Sequence, residues 1–162
     1  MSERIGSAAS TGGVLPTMPP RWVFSMVNPI ARSLLAAGVP LGFNGLITIH
    51  GRKSGLPRTT PVAIIEVAGR RWVWAPWGEV QWIRNLRAAG RATITVRRRK
   101  EDVSATELGP TERVAFFRDV LGPLARRIPL GYRFIRIADG VDLDDPSGAA
   151  RGRAVFELHP LR

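Results

Sequence analysis

The sequence contains no cysteine and two histidines among 162 residues. The first absence excludes disulfides, thiolate metal sites and a cysteine nucleophile, and it fits a reducing cytoplasm. The second leaves little for zinc. Acidic residues are scarce, 13 against 24 Lys and Arg, giving a formal charge of +11. Such a surface attracts phosphorylated or carboxylated ligands, nucleic acid or anionic lipid, and charge by itself does not choose among them. No stretch is apolar over the ~20 residues that a membrane-spanning helix needs. The opening MSERIGSAASTGGVLPTMPP lacks the apolar run of a secretory signal, and its Gly, Ser, Thr and Pro content reads as a flexible tail over residues 1–20.

With 44% apolar residues the rest can bury one core, so residues 21–162 are expected to form a single domain. RWVFSMVNPIARSLLAAG, residues 21–38, spaces Trp22, Met26, Ile30, Leu34 and Leu35 along one helical face, with a break at Pro29 and Asn28 as a cap. Core packing is the ordinary reading of that face; a peripheral membrane or partner contact is the alternative. The period then changes to two. Leu46–His50, Thr59–Val67 and Arg70–Trp74 read as strands, with Ala68 to Arg70 a hairpin turn. Glu79–Gly90 returns to helical spacing and ends on a glycine. ATITVRRRK and DVSATEL form two more strands, with Lys100, Glu101 and Asp102 as their turn. A helix opens at Pro110, carries Val114, Phe117, Leu121 and Leu124 on one stripe, and stops at Pro129. ADGVDLDDPSGAARG reads as a loop and RAVFELHP as the last strand. Hairpin-linked strands with three helical segments predict an antiparallel barrel of about six strands flanked by helices, a mainly β, α+β fold.

The familiar catalytic templates do not occur: no G-x-S-x-G, H-E-x-x-H, Walker A or G-x-G-x-x-G motif. DGVDLDDPSG lacks the EF-hand order of carboxylates, His50 and His159 lie in strands, and no metal is expected. RRRK at 97–100 has no interleaved aromatics and reads as a solvated turn, so nucleic acid is not expected as a partner. Two stretches remain. GRKSGLPR places Arg52, Lys53, Ser54 and Arg58 around Gly51 and Gly55, which suits either a charged hairpin tip or an anion-binding loop with exposed backbone amides. WAPWGEVQWIRNLRAAG places Trp77, Trp82 and Asn85 where they could line a flat aromatic pocket or pack into the core.

Taken in order, LITIHGRKSGLPRTTPV, WVWAPWG and WIRNLRAAG resemble the deazaflavin-dependent nitroreductase family, split β-barrel oxidoreductases with an FMN-binding-like fold that use coenzyme F420. The resemblance covers about residues 25–108 and rests on the ordered set G-R-K-S-G-x-x-R, a following proline and W-x-x-N-L. It implies that Arg52, Lys53, Ser54, Gly55 and Arg58 hold the coenzyme's phosphate and acidic tail, and that Thr60 and Pro61 lie along the deazaflavin. Ala75, Pro76, Trp77 and Gly78 would pass beside the ring, with Trp82 and Asn85 closing the pocket. Tyr132 would contact the substrate or donate a proton. The chain departs from many relatives at Val80, Ile83 and Trp77.

The implied activity is hydride transfer from reduced F420 to a small organic acceptor: a quinone, an enone or a nitroaromatic. Such proteins are often cytoplasmic homodimers. FMN, FAD or haem binding in the same fold, or non-enzymatic carriage of a small molecule or lipid, are the competing readings.

Overall fold

The structure, a computed structural model, describes residues 44–129 and 131–162. The expected tail over 1–20 and helix over 21–38 lie outside the described residues. In chain order the elements are β1 (Gly45–His50), β2 (Pro57–Val62), β3 (Ile64–Val67), β4 (Arg70–Trp74), α1 (Gln81–Ala89), β5 (Arg91–Val96) and β6 (Arg99–Glu107). There follow α2 (Pro110–Ala115), a π-helical stretch (Phe116–Leu121), α3 (Gly122–Arg127), α4 (Gly131–Ala138), α5 (Pro146–Ala150) and β7 (Val155–Pro160). No helix among the described residues is long and apolar enough to cross a membrane.

The strands pair antiparallel in the order β2-β1-β5-β6-β7-β4-β3. The two outermost strands, β2 and β3, follow one another directly in sequence, so the sheet curls until its edges meet at Ala63 and forms a split barrel. The expected Thr59–Val67 strand is therefore two strands, and the barrel has seven where about six were expected. Asn44 closes the seam: its Nδ2 donates to the Ile64 carbonyl at 2.7 Å and its Oδ1 accepts from the Ile64 N–H at 2.6 Å. A Cβ on Gly45 would lie 2.7 Å from Ile64 Cδ1 and 3.2 Å from the Thr95 carbonyl, so any larger residue would push the Ile64 side chain aside.

Alternation along each strand sorts its side chains to two faces. Ile47, Ile49, Val62, Ile64, Val73, Ile94, Val103, Phe156 and Leu158 fill the barrel interior, and Ile83 and Leu86 of α1 cover it. Trp72, Trp74 and Val155 point the other way, into a second core built with Phe116, Phe117, Leu121 and Ala125. The helix from Pro110 to Arg127 is interrupted by the π-helical stretch, which brings both Phe116 and Phe117 inward. A strict 3.6 period predicted Phe117 but not Phe116, because a π turn takes one extra residue.

Three further expectations are corrected. The β5–β6 turn is Arg97-Arg98, both at positive φ (48° and 67°), and Lys100, Glu101 and Asp102 are paired within β6. A two-residue hairpin loop with both φ positive matches the twist of its strands, and this decides the register over side-chain preference. Residues 131–138, unassigned from sequence, are α4. The expected loop before the last strand contains α5, started by Asp145, whose carboxylate accepts from the Gly148 N–H at 3.0 Å.

Candidate functional site

Antiparallel pairing places the β1–β2 tip, the loop after β4, helix α1 and the residues before β7 at one end of the barrel. The Arg97-Arg98 turn lies at the other end, since Val96 pairs with Gly45 and Thr93 with Thr48. The two stretches singled out from the sequence thus converge, although the chain runs through β2, β3 and β4 between them.

The tip spans the six residues between His50 and Pro57. The Gly51 N–H donates to the Leu56 carbonyl at 2.9 Å and the Gly55 N–H to the Gly51 carbonyl at 2.8 Å, which gives the loop a fixed shape. Gly55 turns through φ 67°, a region glycine reaches without cost. Gly51 leaves space: a Cβ there would lie 2.8 Å from Ser54 Oγ and 3.2 Å from Arg58 Nε, and would push those side chains apart. The missing side chain lets a hydroxyl and a guanidinium draw together over one backbone position.

Arg52 behaves differently from its neighbours. Its Nη1 donates to Asn85 Oδ1 and to Gln81 Oε1, both at 3.0 Å, and its backbone N–H reaches Asn85 Oδ1 at 3.3 Å. Asn85 is 6% exposed, so this buried acceptor moors the tip to α1. Sequence reasoning singled out Asn85 but missed Gln81, which belongs to no recognisable pattern. The mooring leaves Lys53, Ser54 and Arg58 exposed, and among the described residues neither Lys53 nor Arg58 has a carboxylate within 4.0 Å. Helix α1 adds to the positive potential, having no side-chain cap and no acidic residue in its first turn.

Some of the cations elsewhere are matched. Arg87 is shared between Glu79 and Glu107, with contacts of 2.6–2.9 Å that hold its guanidinium above its ordinary value and the Glu79 carboxyl below the usual range. Arg71 and Glu101 pair bidentately at 2.6 and 2.9 Å, near the opposite end.

Register pairs Ile49 with Arg58 and Ile47 with Thr60, which puts Arg58 and Thr60 on the interior side of β2, and Pro61 on the outer side. After β4, Ala75 to Gly78 form a tight turn closed by the Gly78 N–H and the Ala75 carbonyl at 3.4 Å, with Pro76 at the position whose φ proline presets. Trp77 and Trp82 are half-buried against the interior core, whereas Trp72 and Trp74 are wholly packed in the outer one. Tyr132 packs against the outer core. Its hydroxyl donates to Asp144, which raises its pKa, and Arg126 lies over its ring at 5.7 Å.

A residue that no motif marked, Arg153, is 3% exposed and donates from Nε to the Pro76 carbonyl at 2.9 Å. A buried charge beside the turn shows itself only through packing.

This end of the barrel can hold an anion at the tip and a flat group beside the 75–78 turn. Among the described residues it gathers no nucleophile and base in contact, so any redox chemistry here would come from a bound group.

Known structures give the fold independently. One, described as a domain-swapped dimer, aligns at TM-score 0.50 with 22% identity over 88% of this chain and 100% of that one. The Agrobacterium tumefaciens str. C58 protein Atu2129, described as of unknown function, aligns at 0.50 with 18% identity over 90% and 58% of the two chains. A structure described as an F420-H2 dependent reductase (FDR-A) aligns at 0.49 with 22% identity over 71% and 92%. No curated protein matches the sequence significantly. The sequence model for F420H(2)-dependent quinone reductases matches residues 30–126, a stretch that takes in the tip, the 75–78 turn and the mooring helix α1, and by that match the chain belongs to the F420H(2)-dependent quinone reductase family.

Proposed function

We propose that the protein binds coenzyme F420 at the tip end of its barrel and passes a hydride from the reduced form to a small organic acceptor, a quinone first and an enone or nitroaromatic by the same geometry. The observation that carries this is the pair Lys53 and Arg58, exposed, without carboxylate partners among the described residues, and set around the space left by Gly51. A phosphorylated, polycarboxylate-tailed coenzyme supplies the complementary charge. Arg58 and Ser54 suit a phosphate oxygen by fork and hydroxyl, Lys53 acts as a point charge, and the peptide at Gly55 can approach closely because no side chain intervenes. Arg52 takes its part by bracing the loop through Asn85.

The reduced coenzyme, when bound, supplies the hydride. The chain's task is orientation and exclusion of water. In this reading Thr60 flanks the ring from the interior side of β2, with Pro61 next to it in the strand but facing outward, the Ala75-Pro76-Trp77-Gly78 turn lies along the ring's other edge, and Trp82 shields it. Tyr132 remains a candidate contact for the acceptor; as proton donor it would first have to release Asp144. Residues 21–162 act as one domain, and the likeness to a domain-swapped dimer supports a homodimer.

Titration with F420, FMN and FAD, read by quenching of Trp77 and Trp82 fluorescence, tests the coenzyme. Tight quenching by F420 and weak quenching by the flavins is expected; binding of FMN alone would overturn the reading. Oxidation of the reduced coenzyme by menadione tests the reaction, and binding without oxidation would make the protein a carrier.

A further inference from the structure

Arg153 is a buried cation that the proposed reaction does not use. Its guanidinium donates in three directions: Nε to the Pro76 carbonyl at 2.9 Å, Nη1 to the Ala149 carbonyl at 3.0 Å, and Nη2 to the Gly140 carbonyl at 3.4 Å. Its own carbonyl accepts from Arg113 Nη1 at 3.1 Å. Four segments are therefore tied to one residue: the 75–78 turn, the end of α5, the stretch after α4, and α2. Burial lowers the Arg153 pKa, and Asp139, a half-buried carboxyl pushed up to about 6 by desolvation, offsets it. Desolvating a guanidinium is costly, and a neutral side chain could fill the same space. A charge kept here at that cost fits a fork whose several fixed donors are needed at once.

We propose that Arg153 is a positioning residue for the proposed hydride transfer: it fixes the Pro76–Trp77 peptide, and through it the face that the 75–78 turn presents to the coenzyme ring. A trans peptide is planar, with its carbonyl and N–H pointing opposite ways. Clamping the Pro76 carbonyl toward α5 and the post-α4 stretch therefore aims the Trp77 N–H away from that helical layer. The turn's other closure, from the Gly78 N–H to the Ala75 carbonyl, is long at 3.4 Å. Without Arg153 the peptide could flip within the turn while the tip, held by Asn85, kept its shape. Two holds thus act on the coenzyme: the tip on its charged tail, and Arg153 on the surface beside its ring.

The inference rests on the coenzyme reading, and the test separates the two. Arg153→Lys keeps the charge and loses the fork; its fold is checked by circular dichroism. We expect the affinity for F420, measured by quenching, to stay within about threefold of the wild type, and kcat with menadione to fall at least tenfold. The Trp77 indole NMR resonance should shift in the variant before any coenzyme is added. A proportional loss of affinity and kcat, or an unchanged kcat and Trp77 resonance, overturns the positioning role. Failure of the wild-type protein to bind F420 overturns the coenzyme reading, and the Trp77 resonance then still decides whether Arg153 sets the turn. A measurement on the wild type guards against a variant that does not fold. The Arg153 Nε–H should exchange with solvent at least a hundredfold more slowly than in free arginine, and exchange at the free rate would show that the clamp does not hold.

Discussion

The protein has two basic hairpin ends, and they differ in kind. The β1–β2 tip carries Arg52 and Lys53 on a six-residue loop, with Arg58 just inside β2, and has an internal hydrogen-bond frame and a buried anchor, Asn85. The β5–β6 turn carries Arg97 and Arg98 on the shortest loop a hairpin allows, with Arg99 already paired to Val96. Both look alike as runs of positive charge. The first displays its cations on a fixed support, while the second places two long side chains on a two-residue turn whose geometry matches the register of β5 and β6. Charge density alone does not make an anion site; convergent donors on a braced backbone do.

The largest test of this contrast removes cations from each end. Lys53→Ala or Arg58→Ala should weaken F420 binding by about 10- to 150-fold, the loss of one charge-assisted hydrogen bond. Arg97→Ala should leave it unchanged within about twofold. Equal effects at both ends, read by fluorescence titration, would reduce the site to general electrostatics.

A smaller loss is expected when the support goes and the cations stay. Asn85→Leu leaves the Arg52 donors without their shared acceptor, so stability should fall by about 1–3 kcal/mol in urea unfolding. Coenzyme affinity should fall with it, and unchanged affinity would show that the tip needs no mooring.

Backbone conformation offers a finer comparison. Gly55→Ala should cost about 1–2 kcal/mol, because φ 67° is reached poorly by any residue with a Cβ. Arg97 already sits at φ 48°, so Arg97→Asn should raise stability by about 0.5 kcal/mol. Calorimetric melting of the two variants should move in opposite directions.

The smallest expected effect concerns pH. Burial raises the Asp139 carboxyl to about 6, above its unfolded value. The protonated form therefore favours the fold, a contribution complete below the unfolded pKa and lost as pH rises through about 6. Asp139→Asn should then raise the melting temperature more at about pH 7.5 than at about pH 4.5. An equal change at both would remove Asp139 from the balance around Arg153.

Much of this was written locally. LITIH reads as a strand in which Ile47 and Ile49 share the buried face, Gly90 ends α1 at φ 64° as a C-terminal glycine should, and Pro129 stops the helix before it. The elements read least well were those whose geometry is set from outside. Phe116 is buried by a π turn that no 3.6-residue count foresees, and Arg97-Arg98 is a turn because pairing of β5 with β6 demands one. Within the candidate site the donor set around Gly51 was legible from residue type, since loop chemistry depends on neighbours in sequence. The role of Arg52 was not, because its partners Gln81 and Asn85 are about thirty residues away, and a side chain's direction is settled by what it meets.

Residue types and their spacing suffice to show that this chain has no thiol chemistry, that it is basic, that it folds mainly as hairpin-linked strands, and that one glycine-flanked basic loop stands apart. Composition and period are short-range properties, and they survive any tertiary arrangement. Long-range packing sets the rest: the barrel closes on itself at Ala63, Arg52 braces the tip through Asn85, and Arg153 is buried behind the turn beside the proposed ring site. Each of these is a contact between distant residues, whose free energy exists only once the chain has brought them together.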